Sequence, residues 1–472
     1  MKALLITFVV VIAALLLLGA GGVARVLFPI GAILIGGLLL RKRPDLYMDA
    51  LLWSWFLCAF LRRVMDYQAG WKEPSLVLIV PYLMAFVAPV LDFKQILSAP
   101  LKSTAAFVIA AMAICYGAII GITQQSITTV VGALLQWGTP VAFAWWFTTA
   151  APDMQAMVIR SIRRSFFWAI LIMGVYGLYQ YVVAPTWDVF WLEQLGGVAD
   201  VTSMGTPEPY GLRVFSTMNS AGAFALVTAA GLLIVADSRH KLSPVVFSAG
   251  ALALLLTLGR SGWMATVFGL ILLATIAPKR VTSTIAVPLL FAMLFGSALA
   301  VGPAAEVVND RISSFTHPSD DASGNDRTRG ASSAMKMVSE HPQGYGLGVG
   351  VDLISNDGSF SLHDDGIAEG FLTLGLVGGF LYFGSLGWLL IRMLQRQGGG
   401  AILTLPAIIS LAFLSQIPLG SSNLGVPGFF FWMFAAWAVH EKLPKDDRID
   451  QSLDNKVVAK EGFRLDTSPS TV

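Results

Sequence analysis

The chain has 472 residues, of which 56% are hydrophobic and only 13% charged, with mean hydropathy +0.71. Soluble domains carry about 25% charged residues, so most of this chain belongs in lipid, and a water-soluble enzyme or a nucleic-acid binder is excluded. The net charge of +2 says little by itself; where the charges fall says more.

Apolar runs of the length needed to cross a bilayer lie near 3–19, 23–40, 49–62, 75–92, 103–122, 127–149, 165–184, 219–236, 243–258, 262–277, 281–301, 370–391, 401–418 and 425–440. That makes about fourteen spans. Met1, Lys2 and the run to Leu18 imitate a secretory signal, but the run is long for one and a second span follows directly, so an uncleaved first helix is expected. Backbone groups in lipid must be satisfied internally. The expected fold is therefore all-α, a polytopic integral membrane protein with one large polar loop. The organisation reads as spans 1–11 over 1–301, the loop over 302–369 and spans 12–14 over 370–441. A charged, aromatic-poor tail over 442–472 is expected to be disordered in the cytoplasm. Cys58 and Cys115 sit inside apolar runs and read as small buried hydrophobes rather than as a disulfide or a zinc site.

Orientation follows from the basic residues. With both termini in the cytoplasm, alternate connections carry Arg41-Lys42-Arg43, Lys94, Lys102, Arg160, Arg163, Arg164, Arg239, Lys241, Lys279, Arg280, Arg392 and Arg396, and the tail adds Lys442, Lys445 and Arg448. All fall on one side, as the positive-inside rule requires. The remainder on the other side are Arg25, Arg62, Arg63, Lys72, Arg213, Arg260, Arg311, Arg327, Arg329 and Lys336. Arginine dominates that set, and its planar fork grips phosphate oxygens bidentately without ever losing its charge. Arginines spread over several connections on one face suggest a shared anionic ligand. Ion pairs at helix ends, with partners such as Asp66 and Glu208, are the plainer alternative. Arg62, Arg63 and Asp66 are candidate substrate contacts on this ground.

The connection after Pro185 opens with Trp187-Asp-Val-Phe-Trp-Leu192, aromatic and amphipathic, which reads as an anchor in the headgroup layer. It ends in Arg213-Val-Phe-Ser-Thr-Met-Asn219, just before a span, where desolvation strengthens a phosphate contact; Arg213 and Asn219 are candidates there. Thr257-Leu-Gly-Arg260-Ser-Gly-Trp263 is a tight break between two apolar runs. It holds Arg260 close to the membrane boundary, and Ser261 and Gly262 can open a helix whose first amides favour anions.

The large loop, beginning at Gly302, is far longer than ordinary connections and such loops are usually functional. It opens with Asp310-Arg311 and continues through an Asp- and Ser-rich stretch. Helical spacing follows from Arg327 and Arg329 to Glu340, and then comes His341-Pro-Gln-Gly344-Tyr-Gly346-Leu-Gly348-Val-Gly350. Glycine at every second residue either lets backbone amides approach a ligand or permits a tight chain path. His363-Asp364-Asp365-Gly366 leads into the twelfth span, with Glu369 one turn along. A histidine flanked by carboxylates at a helix mouth is placed to accept a proton near neutral pH.

The order of these pieces resembles the O-antigen ligase/polymerase superfamily, membrane glycosyltransferases of GT-C-like architecture. The resemblance runs from about Tyr176 to Gly379. It rests on Gly177-Leu-Tyr-Gln180, the Arg213–Asn219 block, the Arg260-Ser261 turn and Arg311. It then takes in Arg327 or Arg329, the His341–Gly346 run, and His363 followed by Leu374-Gly375-Leu-Val-Gly378. Two departures stand out. The turn reads Gly-Arg-Ser where many members have Ser-Arg, and Asp364 stands where Asn commonly follows the histidine.

The resemblance implies a bacterial inner-membrane enzyme whose loop lies in the periplasm. It would transfer glycan from an undecaprenyl-diphosphate donor, with inversion and without metal or other cofactor. Arg213, Arg260 and Arg311, with Arg327 or Arg329, would hold the diphosphate. His363 would be the general base, with Asp364, Asp365 and Glu369 as the other carriers of that role, and His341 a further substrate contact. A flippase and a chain-length regulator are the implied partners. Polymerisation of repeat units is the first reading, ligation of finished glycan to lipid A core or another acceptor the second, and transport a distant third. No Asp-x-Asp dyad and no Gly-x-x-x-x-Gly-Lys phosphate loop occurs in the chain.

Overall fold

In the computed structural model the described residues are 1–195, 204–286, 333–349, 365–395 and 403–440. Within them the regular structure is helical, and the one β-type contact is an isolated bridge between Gly205 and Leu212. The helices are α1 (Lys2–Leu17), α2 (Gly21–Lys42), α3 (Pro44–Ala69), α4 (Leu76–Leu91), α5 (Phe93–Ser98), α6 (Leu101–Gln124), α7 (Ile127–Thr149) and α8 (Pro152–Val183). Then come α9 (Thr186–Leu195), α10 (Ala221–Asp237), α11 (Ser243–Leu255), α12 (Arg260–Ile276), α13 (Gly366–Gln395), α14 (Leu405–Leu414) and α15 (Gly425–His440). Residues Met1–Val439 form one packed unit.

A helix stands at each apolar run read from the sequence, apart from 281–301, most of which lies outside the described residues, as do 302–332 and the tail from 441. Among the described residues five helices are long and apolar enough to cross a bilayer by themselves: Gly21–Lys42, Ser103–Gln124, Ile127–Thr149, Pro152–Val183 and Gly366–Gln395. Seven more are apolar but shorter. This is a membrane protein. α3 outruns its apolar run of 49–62 because Arg62, Arg63 and Asp66 stay helical and buried, each paired inside the protein.

Ion pairs mark the two ends of the bundle. At one end Arg43 meets Asp45 at 2.7 Å, Arg164 meets Asp49, and Arg163 and Arg280 share Asp237 at 3.3 and 2.8 Å. At the opposite end, reached by following α3, α8, α10 and α12 along their lengths, lie Arg25, Arg62, Arg63, Arg213 and Arg260. The members named here of the two sets of basic residues separated by the sequence pattern thus occupy different ends. The core between them is aromatic: Trp55 stacks on Phe429 at 4.6 Å and Phe56 on Phe430 at 5.5 Å, tying α3 to α15.

Cys58 is buried as expected. Cys115 is exposed, because it lies on the face of α6 that borders an apolar cavity.

Candidate functional site

The arginine-rich end is built in two parts. The first centres on Arg63, which has no solvent exposure. Its Nε donates to Asp188 Oδ1 at 2.6 Å, and its remaining nitrogens donate to the carbonyls of Ser216 and Met218, both at 2.5 Å, and to Asn219 Oδ1 at 3.1 Å. Asp188 is equally buried, and its second oxygen accepts from Tyr176 Oη at 2.7 Å and Gln180 Nε2 at 2.6 Å. The Gln180 side-chain oxygen then accepts from the amides of Phe215 and Ser216. A buried charge must be paired and hydrogen-bonded to be tolerated. Here one ion pair grips three carbonyl or amide groups of the 213–219 segment, whose Ser216 has the positive φ of 51° that a tight turn requires. Arg63 therefore spends its polar groups on the protein itself, while Asn219 spends its side-chain oxygen there.

α9 packs one face onto the protein. Its Trp191 and Leu192 are buried with Ala184, Leu212, Phe215 and Ala221, and its Asp188 points into the ion pair. The amphipathic pattern was legible; the inward pull of Asp188 was not, because its partner lies 125 positions away.

Arg62 and Asp66 form a second pairing on the next turn of α3. Arg62 Nε donates to Asp66 at 3.0 Å and its Nη2 to Glu73 at 2.5 Å, while its guanidinium lies 4.5 Å over the Trp71 ring. Asp66 also accepts from Arg25 at 2.8 Å. The helix-end ion pairs weighed in the sequence account for these two residues.

Arg213 and Arg260 are brought to one place by backbone pairing. Val214 N donates to the Leu256 carbonyl and Arg213 Nε to the Thr257 carbonyl, both at 2.9 Å. The turn 257–259 is self-closed: Thr257 Oγ1 accepts from Gly259 N at 3.0 Å, and Leu258 takes a positive φ of 52°. α12 begins at Arg260, so this arginine stands at a helix N-terminus, where partial positive charge already favours an anion. Both arginines are half-buried. Thr257, the hinge of this arrangement, escaped the sequence reading because its contribution is a carbonyl.

The second part surrounds the start of α13. Asp365 caps the helix, its Oδ1 accepting from the amides of Ile367 and Ala368 at 2.9 and 3.1 Å. Glu369 is buried, and Ser421 donates to its carboxylate. The 415–424 connection that carries Ser421 was not singled out in the sequence. The backbone carbonyls of Ile417 and Gly420 and the side chain of Asn423 also close around Gly366. His341 is exposed, its ring 4.8 Å from that of Tyr345. Burial, then the nearby Glu340, raises the Tyr345 phenol above its ordinary value, so it stays neutral.

The alternate glycines resolve as a tight chain path. Gly344, Gly346 and Gly348 all have positive φ, between 79° and 87°. A Cβ on Gly346 would lie 2.1 Å from the amide nitrogen of Gly121 in α6, and one on Gly344 would lie 2.3 Å from that of Gly375 in α13. The strap is held by Tyr345 N to Leu372 O at 2.9 Å, Gly346 N to Thr373 O at 3.0 Å and Leu347 N to Gly117 O at 2.8 Å. α13 itself breaks at Gly375 (φ 67°), which frees those two carbonyls of α13 to receive the strap. The strap is buried between these helices, and Leu347 has no exposure.

Arg311, Arg327, Arg329, His363 and Asp364 lie outside the described residues.

Residues 245–383 match a family model described as O-Antigen ligase, which supports the O-antigen ligase/polymerase superfamily. The matched span takes in the Arg260 turn, the glycine strap and the start of α13, and excludes Arg63, Asp188 and Arg213. No curated protein matches the chain.

Proposed function

We propose that this membrane glycan-processing protein is an inverting glycosyltransferase that polymerises oligosaccharide repeat units carried on undecaprenyl diphosphate, working on the periplasmic face without a metal. The observation that carries this reading is the bond from Arg213 to the Thr257 carbonyl. It fixes one guanidinium against the turn that carries another, at the end of the bundle opposite the bulk of the basic residues.

In the reaction, an acceptor hydroxyl attacks the anomeric carbon from the face opposite the diphosphate, the sugar–phosphate bond breaks, and the diphosphate leaves with the bonding pair. Charge builds on the leaving oxygens, and fixed donors at a dehydrated boundary stabilise it most effectively. Arg213 and Arg260 serve that role, joined by Arg311 and by Arg327 or Arg329. The acceptor proton passes to His363 or to one of its carboxylate neighbours, Asp364, Asp365 or Glu369. Of these, Asp365 is committed to capping α13, which favours His363 and Glu369. Arg63, Asp188, Tyr176 and Gln180 shape the 213–219 segment without touching donor.

Ligation of finished glycan onto lipid A core is the second reading, favoured by the printed family description. Glycan profiles of a deletion strain separate the two. Single capped repeats identify a polymerase; bare core with retained lipid-linked polymer identifies a ligase. An unchanged profile overturns both.

A further inference from the structure

At the end of the bundle away from the arginine turn, α4, α5, α6 and α7 line an open cavity of about 320 Å³. Its walls are carbon: Phe86, Phe93, Ile114, Cys115, Gly138 and Trp145 are among the residues that line it. Some of the wall residues are exposed, Phe93 at 57% and Leu97 at 61%. Exposed apolar surface on membrane-spanning helices faces lipid, and here it is recessed into a volume that is that of a small-molecule pocket.

Three observations identify the occupant. The cavity lies among membrane-spanning helices, so what reaches it is hydrocarbon. Lys94, on α5 directly after Phe93, is exposed and has no ion-pair partner among the described residues, which suits a phosphate headgroup. Aromatic residues gather at this level, with Trp146 Nε1 donating to Asp92 at 2.7 Å, as at a membrane–water boundary.

We infer that this cavity holds one acyl chain of an anionic glycerophospholipid, with its headgroup phosphate at Lys94. The site is distinct from the arginine-rich end and does not depend on the reaction proposed above. A chain seated there fills the gap between α6 and α7. It thereby braces the helix whose Gly117 and Gly121 support the glycine strap.

The test uses full-length protein in nanodiscs of phosphatidylethanolamine doped with phosphatidylglycerol that carries a diazirine in its acyl chain. Light-induced adducts are mapped by peptide mass spectrometry. Expected adducts fall on α5, on α6 around Ile114 and Cys115, and on α7 between Leu134 and Trp145. Unlabelled phosphatidylglycerol should compete, and phosphatidylethanolamine should not. Gly138→Phe should lower these adducts several-fold while labelling elsewhere on the protein is unchanged; a Cβ at Gly138 meets only Leu134, at 3.6 Å and beyond, so the backbone accepts the change. Lys94→Gln should abolish the preference for phosphatidylglycerol while adducts persist. Adducts spread evenly over the surface, or undiminished in Gly138→Phe, overturn the site. Competition by undecaprenyl phosphate but not by phosphatidylglycerol overturns the identity of the occupant.

Discussion

Arg63 and Asp188 meet at 2.6 Å with neither side chain exposed, across 125 positions of chain. This pair joins α3 to α9 and, through the carbonyls of Ser216 and Met218, fixes the segment that ends the connection before α10. Removing one partner leaves an uncompensated buried charge, at a cost of about 3–5 kcal/mol. Asp188→Ala should therefore lower the thermal unfolding midpoint in detergent sharply. Arg63→Met with Asp188→Leu should recover only part of the loss: no charge is stranded, but the Ser216 and Met218 carbonyls lose their donor. Equal midpoints for wild type and Asp188→Ala would refute the clamp.

The arginine turn makes a contrasting demand. Arg213→Ala and Arg260→Ala should each abolish glycan product while protein level in the membrane holds. Lysine at either position should rescue poorly, because a point charge cannot reproduce the bidentate fork. Immunoblots of membranes beside glycan gels read both quantities, and full product from Arg260→Lys would mean that charge alone suffices.

At the mouth of α13 two carboxylates are assigned different work. Asp365→Ala removes a helix cap worth about 1 kcal/mol, seen as a modest fall in the unfolding midpoint, while Asp365→Asn, which can still cap, should restore both stability and product. Glu369→Gln should leave the midpoint near wild type and reduce turnover. Product lost equally in Asp365→Asn and Glu369→Gln would return Asp365 to the list of proton carriers.

His363→Ala should block turnover yet retain the lipid-linked donor on the purified protein, since the diphosphate contacts assigned here are all arginine. Normal turnover in that variant would pass the base role to Glu369 or Asp364.

The glycine strap yields a prediction about folding. Gly346→Ala combines a φ of 79° with a Cβ only 2.1 Å from backbone, so the strap has to leave its seat between α6 and α13. Loss of folded yield is expected, whereas Gly37→Ala and Gly132→Ala, which meet nothing within 4 Å, should match wild type. Elution profiles in detergent distinguish the three.

Sequence by itself determined the helical membrane architecture, since runs of apolar side chains and an excess of carbon over charge leave the backbone no other way to satisfy its polar groups in lipid. It also separated the basic residues into two sets, of which Arg43, Arg163, Arg164 and Arg280 lie at one end of the bundle and Arg25, Arg62, Arg63, Arg213 and Arg260 at the other, and picked out Arg213, Arg260 and Glu369, whose chemistry is unusual for their surroundings. Only tertiary structure decided what each polar group is spent on. Arg63 and Arg213 are alike as letters, yet one is consumed by Asp188 and the other is held against a carbonyl of the Arg260 turn. That choice rests on contacts made across distant segments, many of them to backbone atoms that every residue carries, so side-chain identity along the chain does not encode them.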